Sequence, residues 1–131
     1  MVIDSSVLIA ILSAEADSEK YEAAMDEDSI RMVSAATVLE AAIVVENRLG
    51  EAGGRELDIL LYRVPIQIVD VTAEQIEVAR YAYRKYGKRR HPAGLNFGDC
   101  FSYALSKVSG EPLLFKGEDF AKTDVQTALQ H

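Results

Sequence analysis

The chain opens Met1-Val2-Ile3-Asp4-Ser5-Ser6-Val7-Leu8-Ile9-Ala10, and no other stretch limits the fold so strongly. Three apolar residues run into an acid, two serines follow, and apolar residues that suit a helix resume. This order predicts a short buried strand, a turn and a helix. Asp4 then stands at the carboxyl end of a strand, where open α/β sheets place their ligand crevices. If other carboxylates converge on it, the chain is a metal-dependent enzyme. The plainer role for Asp4 is a helix N-cap, for which Asp is among the best residues.

The remaining punctuation repeats that pattern. Helices are expected over Ser5 to Ser13 and Asp17 to Glu27, a strand over Ile30 to Val33, and a buried, alanine-rich helix from Ser34 to near Gly50. The Glu51-Ala52-Gly53-Gly54 stretch reads as a break before an amphipathic helix, Arg55 to Arg63, ended by Pro65. Ile66 to Val71 is expected as a third strand, and Thr72 as the start of a helix reaching Tyr86. Gly87 to Gly98 reads as a loop, with Asp99 opening a helix through Lys107 that Gly110 closes. Pro112 to Phe115 makes a fourth strand, with a weaker fifth near Thr123 to Gln126. Strands alternating with helices predict an α/β fold with a mainly parallel sheet of 4–5 strands and helices on both faces.

A chain of 131 residues, 49% of them hydrophobic, suits one domain over residues 1–131. With one cysteine and two histidines it cannot build a Cys/His zinc site or an internal disulfide, and a reducing cytoplasm fits. No uncharged run approaches the roughly 18 to 20 residues that span a bilayer, so no membrane partner is expected. A net charge of −7 argues against nucleic-acid binding by diffuse electrostatics. Any RNA contact must be local, and Arg80, Arg84, Lys85, Lys88, Arg89 and Arg90 form the one plausible phosphate-binding patch. The alternative for this run is a solvated helix end whose cations complement the dipole.

Four acids stand out. Asp4 has been described. Glu40 is the only charged residue between Met32 and Val45, on a helix face that ought to be buried, and an unpaired buried carboxylate needs a cation, a hydrogen-bonding partner or a wet cleft. Asp99 opens an otherwise uncharged helix, either as an N-cap or facing a metal or both. Asp119, beside Glu118, follows the strand ending at Phe115. Ser102, one turn after Asp99, either binds a metal-bound water or satisfies its own helix. Asp70 and Asp124 lack a supporting motif, and Cys100 reads as a small buried thiol. Several carboxylates at one sheet end repel each other unless a hard dication joins them. Mg²⁺ or Mn²⁺ takes such oxygen ligands, activates water and stabilises charge on a phosphodiester.

Val2-Ile3-Asp4-Ser5-Ser6, Ser34-Ala35-Ala36-Thr37-Val38-Leu39-Glu40, Phe97-Gly98-Asp99-Cys100-Phe101-Ser102-Tyr103-Ala104 and Leu113-Leu114-Phe115-Lys116-Gly117-Glu118-Asp119-Phe120 together resemble the PIN-domain ribonuclease toxins of the VapC type. The resemblance spans nearly the whole chain. It implies a PIN-like three-layer α/β/α domain, Mg²⁺-dependent endonucleolytic cleavage of RNA such as tRNA, and the toxin role of a type II toxin–antitoxin pair. It also implies a homodimer, silenced by a cognate antitoxin whose basic tail the acidic chain would suit. By the same resemblance Asp4 and Asp99 match the principal metal ligands and Glu40 the third acid. The fourth is Asp119 or its neighbour Glu118. Lys88, Arg89 and Arg90 are then expected to guide RNA phosphates toward the metal.

Other classes fit less well. An aspartyl-nucleophile phosphatase needs a second acid two positions after the first, where this chain has Ser6. A receiver domain needs an adjacent acid pair after the first strand, and Asp4 stands alone. A non-catalytic acidic binding module with a degenerate PIN fold remains an alternative, separable by RNA cleavage.

Overall fold

In the computed structural model, which describes residues 1–129, four short parallel strands form one sheet in the order β3-β2-β1-β4. They are β1 (Val2–Ile3), β2 (Met32–Ser34), β3 (Gln67–Val69) and β4 (Leu113–Leu114). Register pairs Val2 with Met32 and Leu113, and Ile3 with Leu114. Because side chains alternate across a strand, one register step splits the interior in two. Ile3, Val33 and Leu114 enter one core; Val2, Leu113 and partly buried Met32 enter the other.

The helices follow from that split. On the first face lie α1 (Ser5–Leu12), α2 (Ser18–Glu27), α3 (Ala35–Leu49) and α4 (Glu51–Arg63), which contribute Leu8, Met25, Val45 and Leu57. On the second lie α5 (Ala73–Tyr86) and α6 (Phe97–Ser109), which contribute Ala82, Tyr86, Tyr103 and Leu105. The fold is a three-layer α/β/α sandwich. Among the described residues no helix is long and apolar enough to cross a membrane.

Several features differ from the sequence reading. The Glu51–Gly54 stretch is helical rather than a break, so α4 starts at Glu51. Gly53 is there because α3 and α4 pack closely: a Cβ on it would lie 2.6 Å from the Val45 carbonyl oxygen. Gly53→Ala should therefore destabilise the protein by about 1–3 kcal/mol, readable as a lowered thermal midpoint, despite alanine's better helix propensity. The helix α3 is buried along Thr37, Ala41 and Val45 only, and Leu39 (63% exposed) and Ile43 (52%) face outward. Helix α6 begins at Phe97, not Asp99. The expected fifth strand is reduced to one bridge, Leu113 to Thr127, after a 3₁₀ turn at Phe120–Lys122.

Candidate metal and RNA-cleavage site

Parallel pairing sets the carboxyl ends of the strands along one edge of the sheet, and Asp4 leaves β1 at that edge. It is 2% exposed and does cap α1, accepting from the Ser6 amide at 3.1 Å. The cap uses only part of its capacity. The Ser6 hydroxyl donates to Oδ2 at 2.7 Å and the Ser102 hydroxyl to Oδ1 at 2.6 Å, with Thr37 Oγ1 3.4 Å from Ser102 Oγ. Ser6 Oγ in turn accepts the Lys116 amide at 3.0 Å, which ties the end of β4 to the start of α1. Ser102 therefore neither caps nor back-bonds its own helix; it orients Asp4. The sequence reading missed the hydroxyls of Ser5, Ser6 and Thr37, although two serines directly after a strand-ending acid were a usable signal.

Asp99 is the third residue of α6 rather than its N-cap. Asn96 is the cap: its Oδ1 accepts the Asp99 amide at 2.9 Å, while the Asp99 carboxylate accepts the Asn96 amide at 3.0 Å. This reciprocal box fixes the first turn of the helix. Burial nevertheless pushes the Asp99 carboxyl up to about 7, against the lowering effect of the Asn96 bond, and the negative charges of Asp4, Glu40 and Asp119 add to the rise. The helix dipole favours an anion at this position, so desolvation and like charge together outweigh it.

Glu40 is partly buried, and burial raises its carboxyl above the usual range; the Ser5 hydroxyl works against that and Asp4 with it. Gly98 makes room for this carboxylate. A Cβ at Gly98 would lie 1.9 Å from Glu40 Oε2, so the glycine serves close approach between α6 and α3. Asp119 is exposed at the head of the 3₁₀ turn, near enough for its charge to act on Asp99. The four acids singled out in the sequence are thus one electrostatic group.

The other candidates lie apart or serve other ends. Asp70 is exposed, and its carbonyl accepts from the Gln75 side chain. Asp124 is bonded by Tyr103 at 2.7 Å and paired with Lys107 at 3.1 Å. Cys100 is buried as expected, donates to the Asn96 carbonyl, and is pushed by burial up to about 11, which leaves it no thiolate at neutral pH. Lys88, Arg89 and Arg90 are exposed on the loop between α5 and α6, with Arg89 at φ 69° and Arg90 over the Tyr83 ring.

As a ligand set the group offers carboxylate and hydroxyl oxygens, which suit a hard dication and not a soft one. Among the described residues, no three Asp, Glu, His or Cys side chains stand close enough together to enclose an ion unaided. An ion held by so open a set would keep several waters, which is how Mg²⁺ is usually bound.

The PIN domain family matches residues 1–126. The chain is 60% identical over 127 residues to ribonuclease VapC30 of Mycobacterium tuberculosis, covering 97% of each chain. Among solved structures it resembles VapC20 of Mycobacterium tuberculosis, described as a sarcin-ricin loop cleaving toxin, with a TM-score of 0.78, 17% identity and 95% of each chain covered. It also resembles a chain of a toxin-antitoxin complex from Klebsiella pneumoniae, with a TM-score of 0.73, 16% identity, and 99% and 98% covered. The chain belongs to the PIN-domain family and, within it, to the VapC ribonucleases.

Proposed function

We propose that the protein is an endoribonuclease that works with a divalent cation, Mg²⁺ or Mn²⁺, and that it is the toxin of a toxin–antitoxin pair. The observation that carries the reading is that Asp99 and Glu40 are pushed up by burial first and then by neighbouring acids, Asp4, Glu40 and Asp119 acting on Asp99 and Asp4 acting on Glu40. Asp4, Glu40 and Asp99 would hold the ion, which supplies Lewis-acid charge to the phosphodiester and activates water for in-line attack. Ser6 and Ser102 fix the Asp4 carboxylate so that it need not reorganise. To Asp119, exposed and with a charge that reaches Asp99 where that of Glu118 does not, falls the task of orienting the attacking water or taking its proton. The relatives' names support RNA as substrate, and a partner with a basic segment fits the acidic site. A homodimer in the cytoplasm completes the reading.

The direct test is cleavage of a labelled structured RNA by purified protein with Mg²⁺ or Mn²⁺, set against EDTA. Equal, background cleavage in all samples would favour the acidic binding module. Gly98→Ala probes the geometry without replacing a carboxylate, because its Cβ would push Glu40 aside. Displacing Glu40 should weaken Mn²⁺ binding, measured by calorimetry, by about 10-fold or more while the helical circular dichroism stays unchanged.

The loop cations give a separate expectation. Reversing Lys88, Arg89 and Arg90 to glutamate should weaken RNA binding and flatten its dependence on salt, because fewer counterions are released. Mn²⁺ affinity should be unchanged. An unaltered salt slope would reject a phosphate-guiding role for this loop.

A further inference from the structure

Away from the acidic group, a groove of about 670 Å³ lies between α5 and α6. Ile76 and Tyr83 from α5 and Phe97 and Phe101 from α6 line it, and Arg80 and Arg84 lie along the same side of α5. Phe97 is 79% exposed, although its ring stands edge-to-face on Phe101 with centroids 5.0 Å apart. The open ring, with Phe101 beside it, offers an aromatic face on which a flat ligand can stack.

Three observations select the occupant. The groove adjoins the acidic site: Phe97 and Asp99 lie in the same first turn of α6, on opposite flanks of the helix, so the two sites are separated by its width, about 10 Å. The groove is also where an acidic protein becomes basic. Arg80 and Arg84 sit one turn apart, and the run continues through Lys85 to Arg90. Arg80 is paired with Glu77 at 3.5 Å, whereas Arg84 has no ion pair among the described residues. An apolar partner helix laid here would desolvate the Arg84 guanidinium without a counter-ion, which is costly. A strand of RNA would supply both a flat ring for Phe97 and phosphates for the arginines.

We propose that this groove seats an unpaired base of the RNA, stacked on Phe97, with Arg80 and Arg84 on the phosphates beside it. The base belongs to a nucleotide flanking the scissile phosphate, so the groove contributes to which RNA is cut. The inference rests on the ribonuclease reading above. It adds a single-stranded requirement, since a base held in a helix cannot reach the groove.

The test uses the whole chain in EDTA, where binding is read without cleavage, and a short unstructured oligoribonucleotide carrying 2-aminopurine, whose fluorescence falls when it stacks. Wild-type protein should quench the probe. Phe97→Ala should remove the quenching and weaken binding about 5- to 150-fold, and Phe97→Tyr should restore both. Arg84→Glu should weaken binding but leave the quenching of bound probe in place. Phe97 is exposed enough that neither variant threatens the fold. Equal quenching and affinity for wild type and Phe97→Ala, with metal-dependent cleavage intact, would overturn the groove and leave the nuclease. If Phe97→Ala instead converts a sedimenting dimer to monomer without changing RNA affinity, the groove seats a second copy and the base proposal fails. Absence of both binding and cleavage by the wild type would remove the two readings together.

Discussion

Asp99→Asn should give a protein that cleaves RNA on the order of 10²–10³-fold more slowly than wild type in saturating Mn²⁺, yet folds at least as well. The substitution removes a charge without removing a shape. The oxygen of the new side-chain amide can still accept the Asn96 backbone N–H, so the capping box that starts α6 persists. What disappears is the anionic oxygen that faces Asp4, Glu40 and Asp119. Asp4→Asn should lose activity to a similar extent by a different route. Its two oxygens accept from the Ser6 and Ser102 hydroxyls, and an amide NH₂ in place of one oxygen would force a hydroxyl to turn away. Ser102 has Thr37 as an alternative partner, so that variant should also fold. Single-turnover cleavage of one labelled RNA, alongside thermal melts of each variant, separates lost chemistry from lost structure. Wild-type rates in either variant would remove the assignment.

The second large effect is on stability, and its sign follows from the proton count. In EDTA the Asp99 carboxyl titrates at about 7 in the folded chain and at about 3.9 in the unfolded one. Between those values the folded state holds the extra proton, so this group's contribution falls as pH rises from about 4 to about 7. Carboxylates held low act in the opposite sense at the acid end. Asp17, lowered by its hydrogen bond from Lys116, contributes stability above its unfolded value that is lost as pH falls. Metal-free protein should therefore be most stable in mild acid. At pH 8 Asp99→Asn should raise its melting temperature by about 3–8 °C, from roughly 1–2 kcal/mol once solvent screening is discounted. Mn²⁺ should reverse the order. It competes with the proton, so it should raise the wild-type melting temperature strongly at pH 8, weakly at pH 5, and little in Asp99→Asn at either. A wild-type melting temperature in EDTA that rises steadily from pH 5 to pH 8 would contradict this account.

The acids themselves were legible in the sequence because each broke a local rule. Asp4 ended an apolar run, and Glu40 stood alone in an uncharged helix. Their convergence was not legible from the pattern; it depends on parallel register and on which helix crosses which strand. The supporting hydroxyls were hidden for a related reason. Ser102 lies 98 residues from Asp4, and serine in a helix has a commoner local use. Gly53 and Gly98 misled the boundaries in the same way. Glycine costs a helix about 1 kcal/mol relative to alanine, so it reads as a stop. Here it marks contact with another helix, at Val45 and at Glu40, which no single-segment argument can see. The outward-facing Leu39 and Ile43 ran the other way, since apolar composition suggested more burial of α3 than the sheet provides.

The position of β1 between β2 and β4 has a consequence for a chain still being made on a ribosome. The strand β1 and Asp4 emerge before their partners: the amide of Asp4 bonds to the Leu114 carbonyl and Ser6 Oγ accepts the Lys116 amide. Until β4 has left the exit tunnel that partner strand is missing, and Asp119 emerges later still. A nascent fragment that stops short of β4 therefore lacks the partner that fixes Asp4 in the arrangement proposed for RNA cleavage.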